Sequence, residues 1–304
     1  MDLNPSDQLP YFPFNGREFR LEMGLAPLAI ENWIEFAKDA GSQLRQRAEL
    51  LATAHAQVLQ YLDEAETACF ELNRLLRKHL LEFLPGHVSG NVGKIRVRDT
   101  ELVIGEPQSG LEALGQLAHL AQEDFCILSA DDQPRLIAGL VCFPSHWRLA
   151  EKIGQTSDEI HSTVPGFGPR LSVPTNAVLE KLLPERPVWR VNWTIHDSDT
   201  LHTPGPKSFP SGLDAASALD ATWLRIERQT LRRLPESGAV IFTIRTYQQR
   251  MADVVRDSQR QEQLAIVLNS MPAETVRYKG LQTVLPLLTK ALDQRLCRDT
   301  DSRA

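Results

Sequence analysis

The sequence predicts an α+β fold in which a central antiparallel sheet is covered by helices. Three observations point to this class: strand-like segments cluster in the middle of the chain, helical patterns occupy both ends, and no regular alternation of strand and helix runs through it. A chain of 304 residues also has enough apolar content for a substantial core. We expect an extended arm over residues 1–27, one domain over residues 28–290 and a disordered polar tail over residues 291–304.

The N-terminal part of the chain combines the arm with a helical segment. The arm is punctuated by prolines and carries Phe12, Phe14 and Phe19, which we expect to pack onto the body of the protein. Apolar residues then recur at helical spacing over residues 30–84, and a Pro-Gly pair ends the pattern. The sequence therefore predicts helices between the arm and the first strands.

Short strands follow this helical segment. Residues 94–104 alternate between apolar and polar side chains around an Asp-Thr break, which predicts a hairpin. A helix is predicted over residues 111–121. Residues 125–128 and 136–143 are apolar and separated by a turn-rich stretch, so we expect them to be adjacent antiparallel strands.

The second half of the chain contains the strongest strand patterns, over residues 188–196, 222–231 and 239–247. The first two are separated by TLHTPGPKSFPSGLDAAS, a long loop that a compact domain keeps only for a reason, such as a lid or a contact with a partner. Helical patterns lie on either side of these strands. They cover residues 175–183, 258–271 and 275–296.

Composition excludes several classes of function. The net charge of −6 gives no long-range attraction to nucleic acid or to anionic lipid. The four cysteines are far apart and form no C-x-x-C pair, so they resemble buried thiols of a reducing compartment. No apolar run is long enough to span a bilayer, and the first residues lack the pattern of a signal peptide. We expect a cytoplasmic protein that binds neither nucleic acid nor membrane.

Arginines recur within the three strong strands. Arg190 alternates with apolar residues of its strand, Arg225 and Arg228 lie on opposite faces of the next, and Arg245 belongs to the third. If the strands are neighbours, we expect guanidinium groups to line one concave surface, where their planar forks suit carboxylates. An alternative interpretation is that these arginines pair with acidic neighbours on a solvated face. Alternation alone does not separate the two.

A lone histidine, His161, lies in a rigid local frame. Thr156 and Glu159 have the spacing of a capping box, so a short helix is predicted to begin at Thr156. His161 falls near the end of that helix, before a Val-Pro-Gly stretch that prevents its continuation. A neutral imidazole held in this way is a good axial ligand for heme iron. The alternative is a structural histidine, because no companion ligand stands beside it.

Other candidates are weaker. His196 and His202 flank two aspartates and are the next histidines to weigh as ligands, although a solvated strand end explains them equally well. Ser145 stands beside a histidine but lacks the G-x-S-x-G elbow of a hydrolase nucleophile. No G-x-G-x-x-G or P-loop pattern is present. Lys152, one turn beyond Arg148, offers a cation near the predicted helix.

Several ordered blocks of the sequence resemble a known family. They are FNGREFRLEMGLAPL, LVCFPSHWRLAEKIG, IHSTVPGFG, PVWRVNWTI and LRIERQTLRRLPESGAVIFTIRTY. Over about residues 10–247, the chain is similar to the heme-dependent oxidative N-demethylase alpha-subunit-like proteins. The resemblance implies a PAS-like sheet that binds heme b. It also implies oxidation of a small secondary amine such as dimethylamine to methylamine and formaldehyde, with electrons from separate flavin and iron–sulfur subunits.

The resemblance gives the residue patterns a chemical meaning. Heme carries an iron and two propionates, so a histidine ligand and a set of cations are what it requires. We expect His161 to be the metal ligand and the propionate contacts to come from a pool of cationic residues. The pool is Lys152, Arg190, Arg225, Arg228 and Arg245. Two classes remain open: an oxidative demethylase dependent on reductase subunits, and a non-catalytic heme-binding PAS-like sensor or carrier.

Overall fold

The computed structural model describes residues 9–301, with side chains for residues 9–295. Its strands, in chain order, are β1 Ala26–Pro27, β2 Leu59–Tyr61, β3 Val88–Gly90, β4 Ile95–Val97, β5 Leu102–Ile104, β6 Asp124–Leu128, β7 Leu136–Leu140, β8 Val188–His196, β9 Trp223–Arg233 and β10 Val240–Arg250. Seven of them form one sheet in the order β1-β8-β9-β10-β6-β7-β2, and β3-β4-β5 form a second, smaller sheet. Every neighbouring pair is antiparallel, which confirms the predicted α+β class with an antiparallel sheet.

Helices precede, interrupt and follow the large sheet. They are α1 Ala40–Thr53, α2 His55–Val58, α3 Glu66–Phe83, α4 Gly110–Leu120, α5 Ser157–Ile160, α6 Val173–Lys181, α7 Ala215–Ala218, α8 Met251–Val254, α9 Ser258–Asn269, α10 Ala273–Tyr278 and α11 Leu285–Asp301. Within the described residues, none of these helices combines the length and apolar character needed to cross a bilayer.

The two faces of the large sheet differ in character. The core face carries Trp193 and Ile195 of β8 with Ile226 of β9, because alternate residues of a strand point to the same side. The N-terminal helices α1, α3 and α4 cover one end of this face, and the C-terminal helices α8, α9 and α11 cover the other. Each group of helices thereby buries its own apolar cluster against the same side of the sheet.

The opposite side, which we call the polar face, carries Arg190, Asn192, Thr194 and His196 of β8 together with Arg225, Glu227 and Gln229 of β9. Only one end of it is covered by an apolar cluster, in which Leu149, Leu179 and Leu182 pack over Val240. The loops that follow β7 and β8 lie near the rest of this face. Part of the polar face is therefore not covered by apolar residues, and it lies beside this apolar cluster.

Many predicted elements are confirmed. The strand predicted over residues 188–196 coincides with β8, and β9 and β10 extend two or three residues beyond their predicted ends. The hairpin over residues 94–104 is confirmed as β4 and β5, and the adjacent strands over residues 125–128 and 136–143 as β6 and β7. Period-two alternation defined β8, β9 and β10 and their faces, whereas β6 and β7 were predicted from short apolar runs on either side of a turn.

Three boundaries differ from the predictions. The short strand β2 interrupts the helical pattern of residues 30–84, because it adds an edge to β7. The helix predicted over residues 275–296 is divided into α10 and α11, with Gly280 between them at a φ of 65°. The segment expected to be a disordered tail from residue 291 is helical through Asp301, and residues 302–304 lie outside the described part.

The N-terminal arm packs as the sequence predicts. Residues 9–25 contain no helix or strand, and Phe12, Phe14 and Phe19 join the apolar cluster beneath the C-terminal helices. The Phe14 ring meets Trp193 edge-on, with their ring centroids 4.8 Å apart. The first eight residues of the expected arm lie outside the described residues. The described part of the arm thus helps to cover the core face.

Candidate functional site

The helix that carries His161 begins as the sequence predicts. The Thr156 side chain accepts a hydrogen bond from the Glu159 backbone N–H at 3.3 Å, and the Glu159 carboxylate accepts one from the Thr156 N–H at 2.8 Å. Helix α5 lasts a single turn, and His161 is its C-cap residue. The two reciprocal hydrogen bonds fix where the turn begins, and they thereby fix the position of His161 at its end.

The His161 ring is held in one tautomer by its surroundings. Its Nδ1 lies 2.7 Å from the Ser157 carbonyl oxygen, and this contact assigns the proton to Nδ1 and leaves a lone pair on Nε2. The ring stacks on Phe167, with centroids 4.6 Å apart and planes 14° from parallel. An imidazole that donates from one nitrogen to a backbone carbonyl is the arrangement found in metal-binding histidines.

Electrostatics keep this imidazole neutral. Burial lowers the pKa of His161 below its ordinary value, and the positive charges of Arg190 and Lys152 lower it further, against the opposing effect of the Ser157 carbonyl. A neutral imidazole is the form that ligates iron, because protonation of Nε2 would remove the lone pair. At neutral pH the His161 ring therefore offers an uncharged Nε2.

Lys152 and Arg190 are the cations that the structure brings beside His161. The Lys152 ammonium donates to the Ile160 carbonyl at 3.4 Å, on the same short turn. Arg190 projects from β8 onto the polar face, where burial lowers its pKa and the Glu227 carboxylate opposes that shift. The Arg190 Nε is buried without a hydrogen-bond partner. Arg190 makes no hydrogen bond with the described residues through any of its nitrogens, so an acidic group beside it would be favoured.

Arg225 shares the polar face with Arg190, but its guanidinium is engaged by the protein. It donates to the carbonyl oxygens of Leu201 and Phe143 and to the Thr246 hydroxyl, and its Nε lies 3.5 Å from a Glu227 carboxylate oxygen. The residue is fully buried. Its partners are supplied by the chain around it, so Arg225 stabilises the fold at this end of the face.

Arg228 and Arg245 lie on the core face, so the expectation of one shared arginine surface is wrong. The two residues face each other across β9 and β10. Arg228 donates to the carbonyl oxygens of Asn32 and Trp33, and its Nε lies 3.1 Å from Glu35. Arg228 therefore pairs with an acidic residue, as the alternative interpretation expected, but it does so within the core and not on a solvated face.

Arg245 is occupied in a similar way. It donates to the Gln43 side chain and to the Thr246 carbonyl, both at 2.9 Å, and stacks over the Tyr247 ring. It is fully buried. Strand alternation determines which side chains share a face, but distant segments determine which face the core covers. The sequence pattern alone therefore did not show that Arg228 and Arg245 lie on the core face.

The structure adds residues to the site that the sequence analysis did not select. The Asn192 amide and the Gln229 amide both donate to one Glu227 carboxylate oxygen at 3.1 Å, which forms a polar row beside Arg190. Lys279, after α10, donates to the Trp193 carbonyl at 2.7 Å, and burial lowers its pKa to about 8. The alternation that selected Arg190 also places Asn192, Glu227 and Gln229 on its face, whereas nothing local in the sequence indicates Lys279.

The remaining candidates lie elsewhere. The His202 Nδ1 contacts the Cys142 carbonyl oxygen at 2.8 Å, which ties two loops together. His196, at the end of β8, contacts the Ser145 hydroxyl at 2.9 Å. Neither belongs to the group formed by His161, Lys152 and Arg190. Of the six predicted site residues, the structure therefore brings these three together.

Residues 24–288 match a family described as "Haem-dependent oxidative N-demethylase, alpha subunit-like". The match covers well over half of the chain and includes the polar face, the capped turn and both cations beside His161.

Proposed function

The chain belongs to the heme-dependent oxidative N-demethylase alpha-subunit-like family, and from this premise we propose that it binds heme b on the polar face as the oxidising subunit of a demethylase. The group formed by His161, Lys152 and Arg190 supports this proposal best. It combines a neutral imidazole that has a free Nε2, a half-buried guanidinium that has no hydrogen-bond partner among the described residues, and an ammonium. A heme iron requires a ligand such as imidazole, and the two propionates require cations, so these residues fit the cofactor.

Each residue has a separate role in this proposal. His161 would hold the iron through Nε2, and the hydrogen bond from Nδ1 to the Ser157 carbonyl orients the ring and raises its basicity. Arg190 and Lys152 bind the propionates. Arg225, Arg228 and Arg245 are left out of this set, because their guanidinium groups already have protein partners. The sheet that presents these residues is PAS-like in this proposal.

The proposed reaction is oxidative demethylation of a small secondary amine of the dimethylamine type. Heme, when bound, supplies the activation of molecular oxygen. The overall change consumes oxygen, a pair of electrons and a pair of protons, and gives methylamine, formaldehyde and water. The electrons come from separate flavin and iron–sulfur subunits in this proposal. The words "alpha subunit-like" in the description of the family support the presence of further subunits.

The experiment that tests the reaction uses the full chain loaded with heme. Dimethylamine, oxygen and a flavin and iron–sulfur reductase are supplied, and formaldehyde is measured. We expect formaldehyde to form only when amine, oxygen and reductant are all present, and to fall to background in His161→Ala. Heme binding without formaldehyde from any small secondary amine would instead favour the non-catalytic sensor or carrier.

A further inference from the structure

A second group of ligating side chains lies at the far end of the polar face. His146 belongs to the loop after β7, His196 is the last residue of β8, and Asp197 follows it. One potential ligand atom of each residue lies within 4.8 Å of the other two. The imidazole centroids are 4.5 Å apart. We call this group the His146–His196–Asp197 cluster.

The hydrogen bonds of both histidines leave one nitrogen of each ring free. The His146 Nδ1 donates to the Gly205 carbonyl at 2.7 Å, so its Nε2 carries the lone pair. This Nε2 has no hydrogen-bond partner and lies 3.8 Å from the Asp197 carboxylate. The His196 Nε2 is 2.9 Å from the Ser145 hydroxyl, while its buried Nδ1 has no partner. His146 thus has the tautomer of a metal-binding imidazole, and His196 takes the same form when its Nε2 donates to the Ser145 hydroxyl.

The backbone at His146 supports a built site. His146 has a φ of 60°, in the left-handed region that residues with a side chain rarely adopt. Its N–H donates to the Thr203 carbonyl at 2.7 Å, and Thr203 is paired with Ser145 in return. The loop after β8 therefore holds the loop after β7 in an unfavourable conformation. Strain of this kind concentrates at functional sites.

The cluster is separate from the proposed heme ligands. His196 is six residues beyond Arg190 along β8, which places the two Cα atoms roughly 20 Å apart along the strand. Arg190 influences the pKa of His161, whereas Arg225 and Lys207 are the cations that influence His196. The single imidazole of His161 and the imidazole pair of His146 and His196 therefore belong to two separate groups of residues.

We propose that the His146–His196–Asp197 cluster binds a divalent first-row transition-metal ion, such as Zn²⁺ or Co²⁺, through the His146 Nε2, the His196 Nδ1 and the Asp197 carboxylate. Two imidazoles and one carboxylate are a ligand set that these ions accept. Bonds of about 2.1 Å place tetrahedral ligand atoms roughly 3.4 Å apart, so small side-chain rotations complete the site. The bound ion links the long loop after β8 to the loop after β7.

Nearby positive charge limits the affinity of this site. Burial lowers the pKa of His146 and of His196, and the charges of Arg225 and Lys207 lower both further. The same charges repel a metal ion. The Lys207 ammonium is held by the Thr194 hydroxyl and the Lys279 carbonyl, both at 2.8 Å, rather than by the cluster. Removal of this charge in Lys207→Met should therefore tighten metal binding several-fold.

The test is a titration of the full chain, without heme, with Co²⁺ followed by visible absorption and with Zn²⁺ followed by calorimetry. We expect one ion per chain in the wild type, binding weakened at least tenfold in Asp197→Asn, and binding lost in His146→Gln. His202→Gln is the matched control, because His202 is a neighbouring half-buried histidine whose Nδ1 contacts a carbonyl. This control should bind as the wild type does. Circular dichroism establishes that each variant is folded.

The site also predicts a structural readout. Metal should protect the loop after β8 from limited proteolysis in the wild type and in His202→Gln, but not in His146→Gln. Absence of stoichiometric binding, or equal binding in the wild type and His146→Gln, would overturn the proposal. Neither result depends on heme, so the heme proposal is tested separately.

Discussion

The arginines of the core face and Arg190 of the polar face are bound in different ways. On the core face, Arg228 and Arg245 are buried and surrounded by backbone carbonyls, an amide and carboxylates. On the polar face, Arg225 is engaged in the same way, whereas Arg190 is half-buried and its guanidinium makes no hydrogen bond or ion pair with the described residues. Burial alone therefore does not identify an arginine that binds a ligand. The Nε atoms of Arg225, Arg228 and Arg245 also lack a hydrogen bond, so the more informative property is a guanidinium that has no protein partner at any of its nitrogens.

This comparison separates folding from ligand binding. Substitution of an arginine on the core face should lower the free energy of unfolding of the heme-free protein, because it removes contacts that exist in the folded chain. Substitution of Arg190 should leave the heme-free protein nearly unchanged and act on the bound form. Variants at Arg228 and Arg190 test this distinction directly.

Arg228→Met should lower the free energy of unfolding by about 3–5 kcal/mol, because it leaves the Glu35 carboxylate and two carbonyls without their buried cation. Urea denaturation of the heme-free protein measures the change. The control is Arg74→Met, which breaks a 2.6 Å ion pair whose side chains are more than half exposed. That loss should stay below about 1 kcal/mol. Equal losses in the two variants would contradict the distinction.

His79 makes stability on the core side depend on pH. It is 3% exposed, and burial followed by the charge of Arg232 lowers its pKa to about 4. The unfolded chain then binds more protons than the folded chain below about pH 6.5, so stability falls as the pH is lowered. We expect a loss of about 2 kcal/mol from this group between pH 7 and pH 5.

His79→Leu should remove that part of the pH dependence. Urea denaturation of the wild type and the variant at both pH values measures it. His87, whose side chain is 34% exposed, provides a control position for His87→Leu. A wild-type pH dependence that persists in His79→Leu would show that other groups control the acid sensitivity.

Arg190→Met should change the free energy of unfolding of the heme-free protein by less than about 1 kcal/mol. The variant loses no protein hydrogen bond from Nε and no longer buries an orphaned charge. Heme should nevertheless dissociate faster, which transfer to a heme-scavenging protein measures. A large loss of stability with an unchanged rate of heme release would instead show that Arg190 stabilises the fold, as Arg228 and Arg245 do.

The sequence was sufficient to predict local structure wherever the pattern itself carries the information. The alternation in β8 gave its bounds and its two faces, and the capping box gave the turn before His161. Strand β2 was missed because three residues inside a helical pattern carry no period of their own, and only the edge of β7 makes them a strand.

The roles of the arginines were beyond the sequence for a physical reason. The carbonyls that occupy Arg228 lie 195 and 196 residues away, and the Gln43 oxygen that binds Arg245 lies 202 residues away. No local pattern reports such contacts. His161 was different, because its turn, its stacking partner and its hydrogen-bond acceptor all lie within six residues.

The central claim is that the polar face binds heme iron through His161, and an absorption spectrum tests it most directly. The wild type, His161→Ala and His202→Ala are each reconstituted with heme. We expect a Soret band at one heme per chain in the wild type and in His202→Ala, and its loss or shift in His161→Ala, with added imidazole restoring the wild-type spectrum. A spectrum unchanged by His161→Ala would contradict the claim.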